Sequence, residues 1–263
     1  MNIRPLAIEV CLNTISKIYS HIPLNVVEIG CMFKEDEGLS TQIIAECLSS
    51  REFGGQLISI DYNKEHIVSC KKILENRNPT LLENIDFFQG NTLDILPNLF
   101  KGKEEFHFFL IDGGAQPETC LVEFECAMDN LADDGLILID DSRELPPSKL
   151  YWLPRPFGKA TLILPMLIIN NYMKNREDVC ENNQYLGKDE RLPKAYFIEQ
   201  MNQVDYSIFE DIPFKLLGNC GQMLLVGRNN EVLIELYNSM ENRIKSDLNK
   251  SSILQKIFHL KNP

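Results

Sequence analysis

Three acids, Asp112, Asp140 and Asp141, close two of the most apolar runs in the chain, Phe106-His-Phe-Phe-Leu-Ile-Asp112 and Gly135-Leu-Ile-Leu-Ile-Asp140-Asp141. Adjacent strands lie roughly 4.8 Å apart, so carboxylates ending two neighbouring strands can reach one cation. All-oxygen ligation of that kind selects Mg, Ca or Mn over zinc. Two features weigh against a metal: alternation along a strand points Asp140 and Asp141 to opposite faces, and acids after strands also serve as helix caps and loop hydrogen-bond acceptors. Other apolar runs end in the same manner. Gly30 follows Asn25-Val-Val-Glu-Ile, Asp61 follows Gln56-Leu-Ile-Ser-Ile, and Gly90 follows Asn84-Ile-Asp-Phe-Phe-Gln. Taken singly, Gly30 can merely end a strand and Asp61 can cap a helix beginning at Asn63. Their repetition at equivalent places argues for a shared ligand.

The elements that must position these residues alternate between strand and helix. Apolar residues recur at helical spacing from Gly38 to Leu48, a helix N-capped by Asn63 reaches Leu74, and further helices are expected over 92–100 and 117–131, the last with Pro117 in its first turn. Strands apolar on both faces and separated by helices predict a parallel sheet covered on both sides. Ligands of such α/β sheets collect at the carboxyl ends of the strands, which is where Gly30, Asp61, Gly90, Asp112 and Asp140 fall.

The flanks are less regular. An N-terminal helix is expected over 1–22, with Ala7, Cys11, Ile15 and Ile18 on its buried stripe. After Ser142 come Pro146-Pro147, Tyr151-Trp152 and Pro154-Arg-Pro-Phe-Gly-Lys159, which reads as an insertion over 142–200 able to cover the site as a lid. Strands are expected near 209–217 and 221–227, paired as an antiparallel hairpin. A C-terminal helix over 230–258 would bury Val232, Leu236, Met240, Ile244 and Leu248. The whole reads as one domain spanning 1–263. His107, inside an apolar strand, reads as a core residue.

Val27-Glu28-Ile29-Gly30, Gly38-Leu39-Ser40-Thr41 and Ser59-Ile60-Asp61 resemble the first two cofactor motifs of class I S-adenosylmethionine-dependent methyltransferases. The resemblance covers roughly 25–141 and is closest to the small-molecule O-methyltransferase branch, whose fourth strand ends like Leu110-Ile-Asp112-Gly113 and whose fifth ends in an acidic pair like Asp140-Asp141. It implies a doubly wound, mostly parallel seven-stranded Rossmann-like sheet with an antiparallel C-terminal pair. It also implies S-adenosylmethionine as cofactor and a small-molecule acceptor methylated at a hydroxyl oxygen, with Mg held by Asp112, Asp140 and Asp141 as an optional assistant.

The residues fit those roles physically. Gly30 admits close backbone approach, and Glu28 can accept from the ligand's ammonium. The first turn of the helix from Gly38 through Ser40 and Thr41 offers N–H groups to its carboxylate. Asp61 can accept both ribose hydroxyls, and Gly90, Asn91 and Thr92 would sit beside the adenine. Asp112 and Lys159 are the candidate catalytic residues. Because Gly113-Gly114-Ala115 follows Asp112, the resemblance assigns no acceptor base.

Composition narrows the alternatives. With 26 basic against 38 acidic residues and a net charge of −12, a surface built to wrap nucleic acid is not expected. No run reaches the roughly 18 apolar residues of a membrane span, and the start lacks a signal-peptide pattern, so a cytoplasmic protein is expected. The 8 cysteines form no Cys-x-x-Cys pair and read as reduced core thiols. A homo-oligomer is left open. A nicotinamide-dependent oxidoreductase is the enzymatic alternative, although Gly30-Cys-Met-Phe33 lacks the Gly-x-Gly-x-x-Gly turn. A non-catalytic partner protein keeping the same fold is the other.

Overall fold

The computed structural model describes residues 3–34, 39–100, 105–113, 117–140, 159, 194–198, 223–227, 229, 231–233, 235–236 and 239. Helices and strands alternate as expected: α1 (Ile3–Ile18), β1 (Leu24–Ile29), α2 (Ser40–Ser50), β2 (Gly55–Asp61), α3 (Lys64–Arg77), β3 (Ile85–Gln89), α4 (Thr92–Leu99), β4 (Phe106–Ile111), α5 (Pro117–Asn130) and β5 (Leu131–Ile139). β6 (Lys194–Ile198) and β7 (Met223–Gly227) complete a seven-stranded sheet of order β3-β2-β1-β4-β5-β7-β6. β1 to β5 pair in parallel, and β7 runs antiparallel to both β5 and β6. The strand order turns back on itself between β1 and β4, which makes their carboxyl ends the switch point where such sheets hold ligands.

Strand alternation divides the core in two. Val26, Leu57, Phe108, Leu110, Leu136 and Leu138 face α1, α2 and α3. Val27, Ile29, Ile60, Phe109, Ile111 and Ile137 face α4 and α5, where Phe124 is 1% exposed. Since successive side chains change face, Glu28, Asp112 and Asp140 continue the first series, toward α1 and α2. That parity decides what each of the three meets.

α1 buries more than one stripe. Leu6, Ala7, Ile8, Val10, Cys11, Leu12 and Ile15 are all buried because the helix packs on α2, β4 and β5 at once. Ile18, expected on that stripe, is instead 37% exposed, being the helix's last residue. His107 is buried as expected, its Nδ1 accepting from the Asn25 N–H at 2.9 Å and its ring 4.3 Å from that of Tyr19. All six described cysteines are free thiols.

At the C-terminal side the expected antiparallel pair is present but drawn from other residues. β7 matches the run at 221–227, whereas its partner is β6, within the span expected to be an insertion; 209–217 lie outside the described residues. The Lys-Ala-Tyr-Phe-Ile of β6 carries aromatic and β-branched side chains that favour a strand, masked in the sequence by polar neighbours. Val232 and Leu236 are buried in a helical stretch as expected, with Leu233 between them; Met240, Ile244 and Leu248 lie outside the described residues.

Candidate active site

The five strand-end residues form one hydrogen-bonded row. Asp140 N–H donates to Ile111 O at 2.9 Å, Asp112 N–H to Ile29 O at 2.8 Å, Gly30 N–H to Ile60 O at 2.8 Å, and Gly90 N–H to Asp61 O at 3.0 Å. β5, β4, β1 and β3 thus each extend the ladder by one residue past their ends, which sets Asp140, Asp112, Gly30 and Gly90 along the carboxyl edge with Asp61, the last residue of β2. Gly30 is required there twice over. Its φ is +88, and a Cβ would come within 2.6 Å of the Asp112 carbonyl oxygen.

Glu28 lies beneath this row and is 0% exposed. Its Oε2 accepts from Thr41 Oγ1 at 2.7 Å and from Ser59 Oγ at 2.9 Å, Ser59 being its register partner on β2. Oε1 is buried without a hydrogen-bond partner among the described residues. Burial raises the Glu28 pKa to about 7, against the pull of the Ser40, Thr41 and Ser59 hydroxyls and the charge of Arg4. A buried carboxylate oxygen with nothing to accept from is suited to receive a ligand's ammonium.

α2 begins over this carboxylate. Leu39 precedes it with φ 53 and ψ 23, a left-handed conformation costly for leucine. Ser40 and Thr41 are buried, and Thr41 Oγ1, besides donating to Glu28, accepts from Met32 N–H at 2.9 Å. Their hydroxyls therefore serve Glu28 and the loop after β1, while the N–H groups of the first turn are those that an intrahelical ladder leaves over. Gly38 lies outside the described residues.

Asp61 is 8% exposed and already engaged: Oδ1 accepts from Asn63 N–H at 2.7 Å and Oδ2 from Cys31 N–H at 3.2 Å. His66 Nδ1 stands 3.2 Å from Oδ1, and its ring stacks on Phe33 at 4.0 Å. Asp61 thus meets the start of α3 through Asn63 N–H while ending β2 at the carboxyl edge. On the next strand Gly90 has φ +149, Asn91 caps α4 by accepting from Leu93 N–H at 3.1 Å, and Thr92 is buried. The side chains of Asn91 and Thr92 are thus turned to structure.

Of the three expected metal ligands, the two that are described, Asp112 and Asp140, are both engaged by an arginine. Arg4, from the first turn of α1, places Nη2 2.5 Å from Asp112 Oδ2 and Nη1 3.0 Å from Asp140 Oδ2. The parity that sends Asp112 and Asp140 to one face sends them toward α1, and a guanidinium already spans them. Asp141 lies outside the described residues. Among the described residues no group of three or more His, Cys, Asp or Glu is disposed to hold a metal ion. The charge of Arg4 is opposed by burial but favoured more by Asp112 and Asp140, so its pKa ends above the usual arginine value.

A second buried acid went unrecognised in the sequence. Glu123 of α5 is 1% exposed, accepts from Thr92 Oγ1 at 2.8 Å through Oε1, and leaves Oε2 without a partner among the described residues. Burial raises its pKa to about 7, with Lys159 and Thr92 pulling it down and Asp112 pushing it further up. Lys159 is itself 3% exposed, its Nζ without a hydrogen-bond partner among the described residues. Gly113 fits against Glu123 so closely that a Cβ would lie 2.3 Å from Oε1. Asp112, Lys159 and Glu123 thus sit within electrostatic reach at one end of the row.

Residues 27–142 match the family described as a methyltransferase domain. The sheet order and the strand-end row are those of a Rossmann-like methyltransferase fold. A solved candidate O-methyltransferase from Klebsiella pneumoniae is 14% identical with a TM-score of 0.50, covering 84% of this chain and 79% of that one. An O-methyltransferase of tomaymycin synthesis from Streptomyces achromogenes, solved with SAM, is 15% identical (TM-score 0.48, 84% and 79% covered). An rRNA methylase from Streptococcus thermophilus is 14% identical (TM-score 0.46, 83% and 94% covered). No curated protein matches the sequence. The family match favours methyl transfer over the nicotinamide alternative. No helix among the described residues is long and apolar enough to cross a membrane.

Proposed function

We propose that the protein transfers a methyl group from S-adenosylmethionine to a small-molecule acceptor, with a hydroxyl oxygen as the receiving atom. Bound at this edge, the cofactor supplies an electrophilic methyl on a sulfonium sulfur. The observation that carries the reading is Glu28 Oε1, a buried and unpartnered acceptor beneath Gly30. In this reading Glu28 takes the ammonium, and Gly30 admits the ligand to the backbone. The first turn of α2, with Ser40 and Thr41, would face the carboxylate, as would Gly38 ahead of it in the chain. Asp61 accepts the ribose hydroxyls in company with His66, while Gly90, Asn91 and Thr92 border the base.

In this reading Asp112 and Lys159 serve the acceptor. A C–O bond forms as the C–S bond breaks, and the hydroxyl proton must leave. In this reading Asp112, a strand-end carboxylate that Arg4 holds through Oδ2, would receive it. Lys159, buried near Glu123 and Asp112, would orient the acceptor oxygen, and holding the two reactants close and dry would supply much of the rate. The net charge of −12 favours a small acceptor over a polyanion.

Calorimetric titration of the wild-type chain with S-adenosylmethionine and with its demethylated product tests the reading. Binding of both is expected, followed by methyl-donor consumption with hydroxylated acceptors. Absence of binding by either would remove the proposal, and binding without turnover on any acceptor would favour a non-catalytic partner protein.

A further inference from the structure

The chain contains its own cation at the place where strand-end carboxylates would otherwise gather a metal. Arg4 Nη1 and Nη2 each serve a different carboxylate, Asp140 and Asp112, in both cases through Oδ2, so one guanidinium lies between the two strand ends. Arginine suits this position because its planar fork offers several donors at fixed angles and keeps its charge at any ordinary pH.

The guanidinium is also held from behind. Arg4 begins a helix in which Leu6, Ala7 and Ile8 are buried, so α1 cannot withdraw it without uncovering core. Its own side chain is 17% exposed and those of Asp112 and Asp140 are 23% and 8%, a setting in which charge-assisted bonds are less screened than at the surface. Mg demands near-octahedral oxygen ligands at about 2.1 Å and gives up its waters reluctantly. It would have to displace both guanidinium bonds and then sit beside the displaced positive charge.

We infer that Arg4 is the resident cation of the Asp112–Asp140 pair, standing in place of a divalent ion, and that its removal converts the pair into a divalent-cation site. The inference concerns the carboxylate pair alone and does not rest on the proposed methyl transfer. Arg4 acts as a positioning residue: it fixes both carboxylates at the edge while leaving one net negative charge among the three groups.

Mn2+ binding to the full chain, followed by electron paramagnetic resonance and calorimetry, tests this without any turnover assay. Wild-type protein should show no saturable site that depends on Asp112 or Asp140. Arg4→Ala should bind Mn2+ at least about tenfold more tightly, and Asp140→Asn added to it should abolish the gain. Arg4→Lys, which keeps a cation there, should continue to exclude the ion. A wild-type Mn2+ site lost in Asp112→Asn overturns the inference, as does a folded Arg4→Ala that gains no binding. Should Arg4→Ala fail to fold, the wild-type titration and Arg4→Lys decide: a site in either one, sensitive to Asp112→Asn, rejects the assignment, and exclusion by both sustains it.

Discussion

Thr41 Oγ1 donates to Glu28 Oε2 at 2.7 Å and accepts from Met32 N–H at 2.9 Å, so one hydroxyl ties the buried acid, the start of α2 and the loop after β1 together. Thr41→Val keeps the shape of the side chain but removes both bonds, leaving Met32 N–H without this partner in a buried place and Glu28 Oε2 with Ser59 Oγ. Unsatisfied buried groups cost about 1–3 kcal/mol each. The substitution should lower unfolding free energy by an amount on that scale, measured by urea denaturation, whereas Thr41→Ser should lose less. Equal stability of Thr41→Val and wild type would show that the hydroxyl does not organise the loop.

Gly30→Ala tests the row itself. The backbone there has φ +88, and the new Cβ would meet the Asp112 carbonyl oxygen at 2.6 Å, a backbone atom that cannot swing aside. Strain in such a conformation costs on the order of 1–3 kcal/mol, to which displacement of Asp112 adds. A fall in melting temperature and loss of S-adenosylmethionine binding are expected together. A variant as stable as the wild type would contradict the close approach of β1 and β4 at their ends.

Asp61→Ala should weaken S-adenosylmethionine binding by roughly 1.5–3 kcal/mol, the scale of hydrogen bonds to a charged group. Because Asp61 also accepts from Cys31 and Asn63 N–H groups, stability should drop in the same variant. His66→Phe separates the two effects. It retains an aromatic ring against Phe33 but removes the nitrogen 3.2 Å from Asp61, so cofactor affinity should change while the fold is kept. An Asp61→Ala chain that binds with wild-type affinity would take the ribose contact away from this residue.

The row of strand-end residues was legible in the sequence because local signals suffice for it: an apolar run ending in Gly or Asp occurs five times, and the first four are followed by an amphipathic segment. Glu28 was legible for a similar reason, being an acid inside an otherwise apolar strand. Arg4 was not, since nothing near it in the chain hints at Asp112, 108 residues later, and only the docking of α1 brings them together. Glu123 looked like any acid on a helix. Its role appears once Gly113, Thr92 and α5 are packed against one another. β6 was missed because five strand-forming residues in polar surroundings do not alternate long enough to stand out.

Glu28 and Glu123 make folding depend on pH in an unusual direction. Both carry pKa values raised by burial to about 7 from an ordinary 4.5. Between those two values the folded chain holds protons that the unfolded chain has released, so stability declines as pH rises. The contribution is fully present below about pH 4.5 and is lost as pH climbs through about 7, at up to about 3 kcal/mol for each group. Urea unfolding at pH 5.5 and 8 should therefore show a less stable protein at the higher pH, and Glu28→Gln and Glu123→Gln should each flatten part of that slope. Ligand affinity should move the opposite way. An ammonium received by Glu28 pairs with the ionised carboxylate and favours its charge, so S-adenosylmethionine should bind more tightly as pH rises from 6 to 8. Glu28→Gln should remove that dependence, while Glu123→Gln should leave it in place. A wild-type affinity that is flat across this range would place the ammonium elsewhere.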